Sequence, residues 1–194
     1  MAPRISRKGI FCLETDWWGV QHRTTVEPVL QLLNTYDDLR IPYIHRDVGT
    51  REEFDHYLKK WTQKGLSRYP ILYLGFHGEP GVLCVGERRG DAGRVTLVEL
   101  GELLEGECKG RVIHLGSCST LDHHGRLINT FLQRTGAVAI LGYRATIDWV
   151  ESAAFEVILL GALQEVSLTK QGMTKLQKQL RQRVSGLSVK GRQM

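Results

Sequence analysis

No stretch of the 194-residue chain is apolar for long enough to cross a bilayer, and the opening MAPRISRKG lacks the apolar core of a secretory signal. The expectation is a cytoplasmic protein without a membrane partner. Cysteine is scarce: Cys12, Cys84, Cys108 and Cys118 lie scattered without paired spacing, which argues against a disulfide framework and for reduced thiols. Neither a GxGxxG after a strand nor a GxxxxGK[ST] occurs, so dinucleotide and phosphate loops are excluded and no cofactor is expected. Repeats and low-complexity tracts are absent too. The net charge of +5 is modest and collects at 170–192, a basic tail that forms no groove, so nucleic acid is not an expected partner.

What remains is the composition of one ordinary globular domain spanning 1–194, with 42% hydrophobic and 24% charged residues. Short apolar runs alternate with amphipathic segments. Strands are expected at 9–13, 41–45, 71–74, 112–115 and 136–142. Helices are expected at 25–39, from the Thr50-x-x-Glu53 capping box to about 63, from the Thr96-x-x-Glu99 box to 104, and at 121–135, 153–163 and 169–184. The last is basic and amphipathic. Strands alternating with helices predict a three-layer α/β/α sandwich around a mostly parallel sheet of five to six strands. Between the third and fourth core strands, the apolar runs around Gly-Asp-Ala-Gly read as a hairpin or long turn. Its basic, Gly-rich tip at 87–93 is a candidate for regulatory cleavage by an upstream protease.

Two strand exits have matching form. YPILYLGFHG delivers His77 followed by Gly78, and RVIHLGSCST delivers Cys118 after Gly116 and Ser117. Side chains just past the carboxyl ends of parallel strands face the crevice where such sheets bind ligands. If the two strands are neighbours, an imidazole meets a thiol, and the thiolate it stabilises is the form that attacks carbonyls. The N–H of Gly78 would then help hold a developing oxyanion. Each residue alone also has a structural reading, since free cysteines commonly pack as small hydrophobes and a histidine after a strand is commonly a hydrogen-bonded core residue. The pairing of the exits is what favours chemistry.

The order of these segments resembles the CHAT proteases, caspase-like cysteine peptidases related to separase, legumain and the gingipains. The resemblance runs over about 69–180: the His-Gly pair ending one strand, the small-residue-Cys turn ending the next, then a Gly-Ala-rich strand closed by a loop bearing Asp. It implies a His77–Cys118 dyad, an oxyanion hole from the amides of Gly78 and Cys118, and a protein substrate. It also implies a setting in prokaryotic defence or regulated proteolysis, with a sensor protein or activating protease upstream. The chain departs from the family at Ser117 and Ser119, where Ala and an acid are common. Ala145 and Thr146 stand where Trp-Pro is usual. These departures bear on substrate preference more than on chemistry.

In that superfamily the pocket for the residue before the scissile bond is built from the first-strand exit and the loop after the fifth strand, which here supply Asp16, Asp148 and Arg144. A carboxylate would select Arg or Lys and a guanidinium would select Asp. Asp148 favours a basic preference by its position, although an Asp there equally suits the cap of the following helix. Asp122, His123 and His124 beside Cys118 raise the question of zinc. Adjacent helical residues do not share a face and no second ligand pair appears, so no metal is expected. Two other readings stand: a non-catalytic CHAT-like module that docks partners, and a thiol hydrolase, for which the nucleophile elbow lacks its second Gly.

Overall fold

A computed structural model describes residues 7–18, 21–22, 24–86, 93–122 and 125–186. Its core is a five-stranded sheet of β1 (Ile10–Glu14), β2 (Tyr43–Asp47), β3 (Ile71–Gly75), β7 (Val112–Leu115) and β8 (Ala139–Gly142), in the order β2-β1-β3-β7-β8. Every pairing in it is parallel. The three inner strands are buried along their whole length, as expected of strands covered on both faces.

Alternation along each strand sorts the side chains between two cores. Phe11, Leu13, Leu72, Leu74, Ile113 and Leu115 face one side. There they meet Phe54, Leu58 and Trp61 of α2 (Arg51–Thr62), Leu97 and Leu100 of α3 (Leu97–Leu103) and Phe131 of α4 (Gly125–Thr135). Ile10, Cys12, Ile71 and Tyr73 face the other, against Leu30 and Leu33 of α1 (Glu27–Thr35), Leu159, Leu160 and Leu163 of α5 (Trp149–Leu163) and Leu176 of α6 (Lys170–Gly186). The three-layer α/β/α sandwich follows from this division.

Both predicted capping boxes form: Thr50 and Glu53, and Thr96 and Glu99, exchange side-chain and backbone hydrogen bonds reciprocally. The expected hairpin is a separate antiparallel sheet of β4 (His77–Glu79), β5 (Val82–Cys84) and β6 (Arg94–Thr96). Pro80 and Gly81 turn the chain between its first two strands, Gly81 at φ 73°. The hairpin tip at 87–92, with its expected cleavage site, lies outside the described residues, as do His123 and His124.

Two helix starts differ from expectation. α4 begins at Gly125 and not at 121, because Leu121 and Asp122 donate their backbone N–H groups to Tyr143 and Ser119 and close a turn beside Cys118. α5 begins four residues earlier than expected, at Trp149, because Asp148 caps it. Among the described residues no helix is long and apolar enough to cross a membrane.

Candidate active site

β3 and β7 pair in register, with Leu74 opposite Leu115, so both chains leave the sheet side by side. The chain after β3 turns at once into β4, which lies on the turn after β7. The contact is close. A β-carbon on Gly78 would stand 2.5 Å from the Cys118 carbonyl oxygen and 2.8 Å from Ser117 Cβ, and would strike the Thr120 hydroxyl. Only glycine brings the backbones this near. His77 and Cys118 thus arrive at one edge, and both line a cavity of about 460 Å³, within the usual range for ligand pockets. Its other walls are Trp17 and Trp18 after β1, Thr25 and Val26 at the entry to α1, and Ile147 and Trp149 after β8. β1 and β3 are adjacent, and the helices following β1 and β2 pack on opposite faces. That is the switch point at which open α/β sheets bind ligands.

The His77 ring is held on three sides. Its Nε2 lies 2.6 Å from the Trp17 carbonyl oxygen, and the rings of Trp17 and Trp18 meet it edge-on at centroid distances of 5.2 and 5.4 Å. A carbonyl only accepts, so the hydrogen bond puts a proton on Nε2; the tautomer this selects is the one whose Nδ1 has the lone pair of a base. The Cys118 thiol donates to the Ile147 carbonyl at 3.8 Å, and no hydrogen bond joins it to His77. The Cys118 backbone N–H has no acceptor among the described residues. Ser119, directly after it, sits at φ 56°, a left-handed conformation that costs a non-glycine residue about 1–3 kcal/mol and marks a forced turn.

Behind Trp17 lies a buried carboxylate. Glu14, the last residue of β1, accepts from Trp17 Nε1 at 3.1 Å, from the Val26 N–H at 3.0 Å and from the Thr25 hydroxyl, and its Oε1 is 2.5 Å from His45 Nε2. Burial pushes the Glu14 carboxyl up, but the bonds from His45, Thr25, Val26 and Trp17 together outweigh it and hold the group low. Burial likewise pulls His45 down, and Glu14 first, with Asp47 and Glu27, more than restores it, leaving the imidazole raised. Glu14, His45 and Asp47 bring ligand atoms within 4.8 Å of one another. The Glu14 oxygens are already committed to four donors, which is the donor set of a structural carboxylate; its effect is to fix Trp17, whose carbonyl holds His77.

The sequence profile described as a family of unknown function, DUF6642, matches residues 7–188. The chain belongs to that family. No curated protein matches it.

The expected substrate-binding residues of this DUF6642 chain do not line the cavity. Asp148 accepts from the backbone N–H groups of Val150, at 2.8 Å, and Glu151, at 3.3 Å, as the cap of α5. Asp16 and Arg144 are exposed. The acid that does line the cavity is Glu156, in the second turn of α5, where it accepts from Tyr143 Oη at 3.0 Å and meets His114 Nε2 at 3.3 Å. Burial first, and then Glu156, raise Tyr143 far above the ordinary phenol range, and the same two causes raise Tyr73. Sequence reasoning passed over Glu156, yet a signal existed: it is the one charged residue in AAFEVILLGAL. Trp149, which precedes the helix expected at 153–163, is the first residue of α5 and a cavity wall, its ring 5.3 Å from that of Trp17.

Proposed function

We propose that the chain is a cysteine endopeptidase acting on protein substrates through Cys118 and His77. The observation that carries this reading is the seating of the His77–Gly78 strand on the Ser117–Cys118 turn, with both functional side chains lining one cavity at the sheet switch point. His77 takes the thiol proton, and Cys118 Sγ attacks the scissile carbonyl carbon, forming a C–S bond. The negative oxygen is held by the N–H groups of Cys118, which has no other partner among the described residues, and Gly78. His77 gives the proton to the leaving amine as the C–N bond breaks, and water then hydrolyses the thioester with His77 again as base. The thiol must swing from Ile147 toward the substrate, since catalytic hydrogen bonds tighten only as substrate is engaged. The setting that goes with this reading is cytoplasmic, with an upstream protease or sensor as activator.

The test is turnover of a mixed peptide library read by mass spectrometry. Wild-type protein is expected to cut, and Cys118→Ala and His77→Ala each to lose about 10³-fold or more while keeping the wild-type circular dichroism spectrum. Retained turnover in Cys118→Ala would overturn the assignment. The thiol's bond to Ile147 favours a second reading, a non-catalytic module that docks a partner in the same cavity. Failure of every peptidyl electrophile to label Cys118 would favour that module.

A further inference from the structure

We infer that the inner end of the cavity is a seat for an alkyl cation, a guanidinium or ammonium on an apolar stem, with the Glu156 carboxylate as its counter-charge. That the cation belongs to the substrate residue before the scissile bond rests on the peptidase reading; the seat itself does not.

The cavity is graded from mouth to interior. Trp18 and Trp149, at one end, are 62% and 37% exposed, while Tyr73 and Glu156, at the other, are 1% and 2% exposed. Between them the walls are Trp17, Val26, Val29 and Ala153, which suit a chain of methylenes. Among the described residues no Lys or Arg lines the space.

At the closed end no Lys or Arg among the described residues faces Glu156. The partners of Glu156 are the Tyr143 hydroxyl at 3.0 Å and the His114 ring at 3.3 Å, both on Oε1, and the Tyr73 hydroxyl. His114 is fully buried and its Nδ1 has no hydrogen-bond partner. A bare lone pair is tolerated in a core far better than an N–H without an acceptor, so it is Nε2 that carries a proton toward Glu156. A buried carboxylate without a Lys or Arg beside it is costly. A cation entering the cavity removes that cost, and a neutral side chain of the same shape does not.

The experiment has two arms on the full chain. In the first, thermal unfolding of wild type is followed with n-butylguanidine and with its neutral counterpart n-butylurea. Stabilisation by the guanidine alone, lost in Glu156→Gln, is the expected result; equal response to both overturns the seat. In the second, Cys118 is labelled by peptidyl acyloxymethyl ketones ending in Arg or in isosteric citrulline. The Arg reagent is expected to react at least about 30-fold faster. Equal rates, or faster labelling by an Asp reagent, overturn the inference and leave the peptidase reading standing. Guanidine-selective binding with no labelling by any reagent overturns the peptidase reading instead and points to a free amine as the ligand. Both arms compare ligands on wild type, so a Glu156→Gln chain that fails to fold does not remove either test.

Discussion

The Trp17 carbonyl oxygen receives the His77 Nε2 proton at 2.6 Å, and the indole of the same tryptophan donates to Glu14 at 3.1 Å. One residue therefore ties the candidate base to a carboxylate buried at the end of β1. Glu14→Ala is expected to leave four donors facing an apolar core and to cost about 3–5 kcal/mol in denaturant unfolding. Glu14→Gln keeps one oxygen as an acceptor for Trp17 and Val26 and is expected to cost less. Indistinguishable midpoints for the two variants would contradict this account of Glu14.

The Glu14–His45 pair sets a pH dependence. The Glu14 carboxyl is held low in the fold, so its stabilisation is present above the unfolded carboxyl value and is lost as pH falls through the folded one. The His45 imidazole is raised, so its stabilisation is full below the ordinary histidine value and is lost as pH rises through the folded one. Wild type should exceed His45→Gln in Tm by most between about pH 5 and 6, with the gap closing above about pH 7. A gap that stays constant from pH 5 to 9 would contradict the pairing.

Gly78→Ala forces a methyl group into the Cys118 turn, against its carbonyl oxygen and the Thr120 hydroxyl. A destabilisation of about 1–3 kcal/mol is expected, together with slower labelling of Cys118. Unchanged labelling at unchanged stability would show that β4 does not need to sit this close.

Asp148→Ala removes the α5 cap, for an expected loss of about 0.5–2 kcal/mol. Because Asp148 does not line the cavity, the ratio of cleavage after Arg to cleavage after norleucine should not move. Collapse of that ratio would return the specificity role to Asp148.

Much of this was legible in the chain because it is local. Strand runs such as ILYL and VIHL, and boxes such as Thr50-x-x-Glu53, depend on neighbours in sequence. The arrival of His77 and Cys118 at one cavity needed only one tertiary guess, that β3 and β7 are adjacent, and they are. What escaped depends on contacts between distant elements. Nothing near Glu156 in sequence says that its carboxylate meets His114, 42 residues away on β7. Likewise nothing near Glu14 announces His45, which reaches it only because β1 and β2 pair. Asp148 carried two readings in the sequence, and backbone geometry at 150 and 151 gives it the cap.

The most direct measurement is the rate of iodoacetamide alkylation at each cysteine, followed by peptide mass spectrometry at pH 7 in wild type and His77→Ala. Cys84, half-buried with its thiol raised first by burial and then by Glu79, serves as the internal reference. Cys118 should react at least about tenfold faster than Cys84 in wild type, and should fall to a comparable rate when the imidazole is removed. Equal Cys118 rates with and without His77 would mean that the two side chains share an edge and no chemistry.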